Sequence, residues 1–148
     1  YRDGTCGMPQ DITKAVELWH RAGDLGYAKA YNSIGYAYLH GEGVEVDKEK
    51  AKCYFEHAAV MGDSMARHNL GSEEVKAGNM DRALKHYMIA ARSGDNESLK
   101  CIQDLYSIGK VTKEDYTKAL RTYQTYLGEI KSVQRDKAAA ADEDYRYY

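Results

Sequence analysis

The stretch AVELWHRAGDLGYAKAYNSIGYAYLHGEGVEVD, residues 15–47, decides the fold because the rest of the chain repeats its pattern. Its first alanine and the aromatic residue four positions later recur at intervals of 36, 32 and 36 residues. The recurring pairs are Ala15 with Trp19, Ala51 with Phe55, Ala83 with Tyr87, and Ala119 with Tyr123. Self-similarity at this period is typical of arrays of helix pairs. The repeat interval is four residues shorter where it spans residues 70–79, so we predict a shortened loop there.

The first helix of each unit is indicated by the spacing of its apolar residues. Ala15, Leu18, Trp19 and Ala22 lie at positions i, i+3, i+4 and i+7, which places them on one face of a helix. An Asp or Asn before each such helix is predicted to cap it by accepting hydrogen bonds from the free amides of the first turn. These predicted caps are Asp11, Asp47, Asn79 and Asp115. The glycines predicted to end the first helices are Gly26, Gly62 and Gly94.

The second helices are predicted over residues 28–39, 64–76 and 96–108. Gly35 and Gly71 lie in the middle of two of them, where glycine costs about 1 kcal/mol relative to alanine. Such a cost indicates that a neighbouring helix approaches closely at both positions. Gln103 takes the equivalent position in the third unit and predicts a wider crossing. The chain is therefore expected to be all-α, an α/α solenoid of seven or eight helices in stacked antiparallel pairs, without strands.

The first full unit resembles the Sel1-like repeat, a relative of the tetratricopeptide repeat. Residues 32–39 and the following Gly41-Glu42-Gly43-Val44 carry the resemblance best. The second unit keeps Asn69-Leu70-Gly71 but lacks the G-x-G-V loop. The resemblance covers about residues 1–127, as a partial unit at 1–11 and further units that start near residues 12, 48, 80 and 116. Residues 128–148 are expected to form a capping helix, which Ser132 would begin, or a frayed tail.

The resemblance also implies a function. Sel1-like repeats serve as adaptors that assemble protein complexes, some of them in membrane-protein degradation. It therefore implies a non-catalytic scaffold that binds a partner protein or peptide on its concave helical face. Similar proteins of unicellular algae often carry a RING-type zinc module before the repeats. Two alternatives stay open: the substrate-adaptor part of a larger ubiquitin-ligase-like protein, and a purely structural spacer.

Composition and charge argue against several other classes of protein. The formal net charge of −2 and pI near 6.2 lack the basic field that nucleic acids require. No apolar stretch approaches the roughly 20 residues that cross a bilayer, so membrane insertion is not expected. The three cysteines, Cys6, Cys53 and Cys101, form an odd set without a CxxC pair. This pattern favours a reducing compartment such as the cytoplasm, although the sequence does not assign the localisation.

No sequence motif indicates catalysis, a cofactor or a metal site. The G-x-S-x-G, H-E-x-x-H and P-loop motifs are absent, and Gly41-Glu42-Gly43-Val44 is interpreted as a turn. Cys53 and His57, at i and i+4, could point at one ion, but a metal needs further ligands. The equivalent positions on the flanking helices include Arg21 and Lys85, whose charges oppose a metal ion. We therefore predict that the chain is not an enzyme and that it holds neither a cofactor nor a metal.

A partner-binding surface remains as the functional prediction. In tetratricopeptide-like solenoids the first helix of each pair lines the concave side. The candidate binding residues on these helices are Glu17, Arg21, Glu56, His57, Lys85, Met88, Ile89, Arg121 and Gln124. A solvated helix surface also explains each charged residue, because such surfaces are common. Met88 and Ile89 are predicted to be apolar anchors outside the core face, since solubility favours polar groups at exposed positions.

Overall fold

The computed structural model describes the backbone of residues 9–145 and the side chains of residues 14–138 and 140. Seven α-helices and no strands occur over this range, which confirms the predicted all-α class. The helices are α1 Pro9–Asp24, α2 Ala28–His40, α3 Lys48–Val60, α4 Ser64–Lys76, α5 Met80–Arg92, α6 Asn96–Ser107 and α7 Lys113–Tyr145. Each helix packs on its neighbour in the chain, and α2 also contacts α4. The helix pairs therefore stack into an α/α solenoid.

The turns inside the helix pairs repeat one geometry. Gly26, Gly62 and Gly94 have φ angles of +94°, +92° and +92°, the left-handed conformation that favours glycine at a helix end. The next residue in each case donates its backbone amide to the carbonyl five residues back, as Tyr27 does to Ala22 at 3.1 Å. Asp63 and Asp95 make the same bond, at 3.0 Å each. The prediction that these glycines end the first helices is confirmed, with each glycine just beyond the helix.

The connections between pairs confirm where the four-residue deletion lies. Residues 41–47 join α2 to α3, whereas only residues 77–79 join α4 to α5. The second connection is four residues shorter, and the helices on both sides keep 13 residues each. The four-residue difference in period therefore lies in the loop, and the lengths of the helices are unchanged.

Only one of the four predicted N-caps is confirmed. Asp47 accepts a hydrogen bond from the Lys50 amide at 3.0 Å. Asp11 lies inside α1, which begins at Pro9, so its prediction as a cap is wrong. Asp115 lies inside α7, and Thr112 caps that helix instead. The Thr112 hydroxyl accepts a hydrogen bond from the Asp115 amide at 3.1 Å and donates one to the Asp115 carboxylate at 2.7 Å. The free amide at the start of the helix and the hydroxyl proton thus both have partners.

Asn79 precedes α5 but makes no capping hydrogen bond with its side chain. Its Nδ2 donates to Glu74 Oε2 at 2.7 Å, and the Glu74 carboxylate also lies 3.6 Å from Lys52 Nζ. Glu74 is only 7% exposed, so these partners offset the loss of water around its charge. The hydrogen bond from Asn79 is the main reason that the pKa of the Glu74 carboxyl lies below its ordinary value. The Asn79 side chain thus bonds to the buried carboxylate instead of capping α5.

The core consists of two clusters, one centred on Phe55 and the other on Tyr87. Phe55 is 0% and Tyr87 3% exposed, as their register predicts. Trp19 and Tyr123, at the equivalent positions, are partly buried, so the burial predicted from the register is complete at Phe55 and Tyr87 and less complete at these two. Trp19 lies on the first and Tyr123 on the last described helix. Each therefore has described packing neighbours on one side only.

The glycines inside the second helices mark close helix contacts, as predicted. A Cβ atom at Gly35 would lie 2.7 Å from the Phe55 ring, and one at Gly71 would lie 2.7 Å from the Tyr87 ring. Contact between α6 and α7, where Gln103 replaces glycine, is much sparser than between α2 and α3 or between α4 and α5. This sparser contact agrees with the prediction made from Gln103, whose side chain is exposed, whereas Gly35 and Gly71 are buried.

The last helix, α7, extends without interruption through Gly128 and Ser132 to Tyr145. The expected start of a separate capping helix at Ser132 is therefore wrong. The residues around Ser132 are good helix formers, and the alanine run that follows favours continuation over a new start. The helix has 33 residues and is about 50 Å long, from the rise per residue of an α-helix.

Candidate partner-binding cleft between α5 and α7

The predicted binding residues lie on the first helices of the pairs, which are α1, α3, α5 and α7. We call the solvent-exposed surface of these four helices the first-helix face. Eight of the nine predicted residues are exposed there, and Met88 is partly buried. Those that lie outside any described cleft are Glu17, Arg21, Glu56, His57, Lys85 and Gln124.

A cleft of about 540 Å³ brings together three of the predicted residues, Met88, Ile89 and Arg121. Its α5 wall consists of Met88, Ile89 and Arg92. The residues of its α7 wall are Lys118, Arg121, Thr122, Thr125, Tyr126 and Glu129. The cleft thus lies between the last two first helices and combines apolar side chains, charges and hydroxyl groups.

Tyr126 accounts in part for the position of the cleft. In the three preceding units the equivalent positions are Ala22, Ala58 and Ala90, and Ala58 and Ala90 are fully buried. The Tyr126 ring lies against Gly94, in the space that a side chain there would occupy. A ring in place of a methyl group at this contact is bulkier than the alanines of the earlier units, and α7 packs less densely on its neighbours than the earlier helices do. A tyrosine at an otherwise alanine position was the sequence signal that could have identified this residue.

The cleft is positively charged. Arg92, Lys118 and Arg121 line it against a single carboxylate, Glu129, so the formal charge of the lining is +2. None of the three cations forms an ion pair with another described side chain. Lys118 was not singled out in the sequence because a basic residue precedes the repeated alanine in every unit, as Lys14, Lys50 and Arg82 do.

The threonines of α7 present oxygen lone pairs rather than free hydroxyl protons. Thr122 donates its hydroxyl to the Lys118 carbonyl at 2.8 Å, and Thr125 donates to the Arg121 carbonyl at 3.0 Å. Thr117, nearer the start of the same helix, donates to the Lys113 carbonyl at 2.7 Å. Hydroxyls used in this way can still accept hydrogen bonds. Donors toward an anion in the cleft are therefore the cationic side chains and the Tyr126 hydroxyl.

The two predicted apolar anchors differ in their surroundings. Ile89 is 45% exposed and lies outside both core clusters. Met88 is partly buried and packs against the cluster around Tyr87, so the prediction that it lies outside the core is wrong. The flexible methionine side chain thus lines the cleft and packs against that cluster at the same time. Ile89 is therefore the better residue for separating binding from stability.

Cys53 and His57 both lie exposed on α3, on the same side of the helix. The His57 ring packs 5.4 Å from the ring of Tyr31, centroid to centroid. Tyr31 also stacks on Tyr54, which in turn stacks on Tyr38 at 5.6 Å. His57 thus forms the edge of an aromatic cluster between α2 and α3. Over the described residues, no group of three or more His, Cys, Asp and Glu side chains is arranged to hold a metal ion.

A buried polar cluster that the sequence analysis missed links α4 to α6. His68 Nδ1 lies 2.9 Å from Ser98 Oγ and 3.4 Å from Asp95 Oδ2. The Asp95 carboxylate caps α6 by accepting from the Ser98 amide at 2.8 Å. A catalytic triad would place the serine and the aspartate on different nitrogens of the histidine ring. Here both face Nδ1 and Ser98 is 0% exposed, so the cluster holds the two helices together.

The family is identified by a match along most of the chain. The Sel1 repeat profile matches residues 1–27, 28–63 and 64–95. The chain belongs to the Sel1 repeat family. The matched Sel1 units begin at the second helices, at residues 28 and 64, whereas the sequence analysis began its units at the first helices. The two divisions describe the same repeat in different phase.

Named relatives and solved Sel1 structures agree with this assignment. The chain is 33% identical to mouse protein sel-1 homolog 2 over 88 residues, which is 57% of this chain and 13% of that protein. The human protein of the same name is 34% identical over 62 residues, or 42% of this chain and 9% of that protein. The chain thus spans about an eighth of the length of the mouse relative.

Among solved structures, a Sel1 repeat protein from Oxalobacter formigenes superposes with a TM-score of 0.65 and 26% identity. The match covers 79% of this chain and 51% of that one. A protective antigen of uropathogenic Escherichia coli that displays an SLR fold superposes with a TM-score of 0.63 and 19% identity, over 78% of this chain and 26% of the antigen. The second likeness shows the fold alone.

Sel1 repeats generally act as scaffolds for protein interactions, and the fold is typically non-catalytic. None of the helices in the described part of the chain is both long and apolar enough to span a bilayer.

Proposed function

We propose that this Sel1 repeat chain is a scaffold that holds a segment of a partner protein, with the cleft between α5 and α7 as the main docking site. The observation that carries the proposal is the cleft itself. It has a volume of about 540 Å³, and its lining combines the exposed Ile89 and the Tyr126 ring with cations that lack partners among the described side chains. Small numbers of apolar anchors surrounded by polar groups contribute most of the affinity at protein interfaces.

The size and shape of the cleft suit a segment of a chain better than a folded domain. Its two walls are helices, and a segment laid between two helices contacts both of them along its length. The rest of the first-helix face, with Glu17, Arg21, Glu56 and His57 exposed on α1 and α3, offers additional polar contacts for a longer segment. The alternative role, as the substrate adaptor of a ubiquitin-ligase-like protein, has no observation in its favour and does not belong to the proposal.

The proposal is tested with a displayed library of random linear peptides selected on the intact chain. Peptides that bind are then titrated calorimetrically against the parent and against Ile89→Ser. If Ile89 is an anchor, the substitution weakens binding by about tenfold or more, the range of an interface hot spot.

The matched control is Val60→Ser, which removes the same kind of side chain from a position on α3 that is 82% exposed. It should bind the selected peptides as the parent does. Circular dichroism checks that both variants keep the helical content of the parent. Peptides that bind the parent and Ile89→Ser equally well would show that the docking site lies elsewhere.

A further inference from the structure

We infer that the segment held in the α5–α7 cleft is acidic, with carboxylates next to one apolar side chain. This inference rests on the proposed function and specifies the chemistry of the partner. The apolar side chain would lie against Ile89 and Tyr126, and the carboxylates would lie against Arg92, Lys118 and Arg121.

The first step is the contrast between the cleft and the whole chain. The chain has a formal net charge of −2, yet the cleft lining carries +2. The positive charge there is therefore local and is not a consequence of a basic composition. Cations that lie together without carboxylate partners repel one another, and an acidic ligand would relieve that repulsion.

The second step is the extent of the positive surface along α7. A neighbouring cleft of about 670 Å³ is lined entirely by α7 residues and shares Lys118, Arg121 and Thr122 with the first. Lys118 and Arg121 therefore stand on the ridge between two depressions. The second cleft adds Lys113 and only one carboxylate, Glu114. A peptide that crosses the ridge would place its carboxylates at these two cations and continue on either side.

The third step is the direction of the available hydrogen bonds. Because Thr122 and Thr125 donate to backbone carbonyls, their oxygens remain as acceptors for the amide N–H groups of a peptide backbone. The Arg92 and Arg121 guanidinium groups offer paired N–H donors that match the geometry of a carboxylate. The lining thus has acceptors for the peptide backbone and donors for acidic side chains.

The test uses the same random-peptide library, selected on the intact chain and counter-selected on Ile89→Ser. Selected peptides are sequenced and then titrated against the parent, Arg121→Glu and the control Lys29→Glu. Lys29 is exposed on α2, so its substitution changes the net charge as much as Arg121→Glu does but away from the cleft. The expected result is enrichment of Asp and Glu beside an apolar residue.

Arg121→Glu should weaken binding of these peptides by about tenfold or more, and Lys29→Glu should leave it unchanged. Raising NaCl from about 0.05 M to about 0.5 M should weaken binding to the parent more than to Arg121→Glu, because salt screens the charge pairs. Exchanging one acidic residue of a selected peptide for lysine should restore affinity to Arg121→Glu. Circular dichroism confirms that each variant is folded.

The outcomes separate the inference from the proposed function. Peptides that lose affinity for Ile89→Ser but are neutral or basic, or bind Arg121→Glu as well as the parent, overturn the acidic partner and leave the scaffold proposal standing. Peptides that bind Ile89→Ser and Arg121→Glu like the parent overturn both. If the parent retains no peptide more strongly than Ile89→Ser does, both the inference and the proposed function are overturned.

Discussion

Phe55 occupies the space that the absence of a side chain at Gly35 leaves between α2 and α3. The ring is 0% exposed and contacts the cluster of Ala51, Ala58 and Leu70. Dense packing of this kind means that a deleted ring leaves a cavity that its neighbours fill only in part. The stability of the first two helix pairs therefore depends strongly on this one residue.

Phe55→Ala should lower the free energy of unfolding by roughly 3 to 5 kcal/mol, through lost apolar burial and the cavity left behind. Urea denaturation followed by circular dichroism measures the change. Val60→Ala, on the same helix but at a position 82% exposed, should change stability by about 0.5 kcal/mol or less. A loss below about 1 kcal/mol for Phe55→Ala would mean that the ring is not part of a tightly packed core.

His86 is a second residue whose environment predicts a measurable effect. Its Nδ1 is buried and has no hydrogen-bond partner among the described groups. Burial, with a further contribution from Arg67, lowers the pKa of His86 below its ordinary value of 6.5. Glu74 and Glu56 act in the opposite direction, and Lys52 adds to the lowering. The folded chain therefore binds a proton at His86 less readily than the unfolded chain does.

This difference links His86 to the pH dependence of stability. Its stabilising contribution is fully present above pH 6.5 and is lost as the pH falls through the lowered pKa, because the unfolded state then binds the extra proton. His86→Leu and His86→Gln should both lose less stability than the parent between about pH 7.5 and about pH 5.5, as measured by urea denaturation. If both variants lose as much as the parent, His86 is not responsible for the loss.

At the scale of the helices, two glycines inside helices differ in their surroundings. In α2, Gly35 permits the Phe55 ring to approach, and the Ala51 carbonyl lies 3.1 Å from the position of its missing Cβ. In α7, Gly128 is exposed and has nothing within 4 Å of the equivalent point. The same substitution at these two sites should therefore have opposite effects.

Gly35→Ala should destabilise the chain by about 1 to 3 kcal/mol, because overpacking against a buried ring outweighs the gain of about 1 kcal/mol in helix propensity. Gly128→Ala should stabilise it by about 0.5 to 1 kcal/mol, since only the propensity changes. Thermal and urea denaturation of the two variants in parallel provide the comparison. Equal effects of the same sign would show that helix propensity alone decides, and that α2 and α3 can move apart freely.

At the scale of the whole molecule, packing is uneven along the chain. The two buried clusters draw their residues from α3 to the first turns of α7, with the last buried residue at Ala119. Farther along α7, exposed side chains predominate from Gln124 to Lys137. In a repeat array each helix is stabilised mainly by its neighbours. Local stability should therefore fall along the part of α7 that has no buried residues.

Hydrogen exchange monitored by mass spectrometry should show this gradient. Backbone amides of α3, α4 and α5 should exchange slowly, because their opening requires disruption of the clusters. Amides of residues 131–145 should exchange orders of magnitude faster, since an isolated stretch of helix has little tertiary support. Slow exchange of residues 131–145 at low protein concentration would contradict this expectation and indicate that this part of α7 is covered.

The sequence by itself determined the repeat period, the helix pairs, the glycine turns and the loop that lost four residues. These features depend on local chemistry, because apolar spacing and glycine act within a few residues of the chain. The sequence also indicated Met88, Ile89 and Arg121, since register assigns side chains to a face of each helix. It was less successful for helix starts, because Asn79 and Asp115 have cap-forming side chains whose partners are set by the surrounding structure.

Only the tertiary structure decided which part of the first-helix face becomes a cleft. Register places similar non-core positions on all four first helices, and the apolar Met88 and Ile89 mark α5 without showing that a cleft opens beside them. The distinction arises from how closely the helices approach one another: the Tyr126 ring lies against Gly94, and α6 and α7 make less contact than the earlier helices do. The spacing between helices depends on residues from α5, α6 and α7 together, so it is a property of packing that no single helix contains.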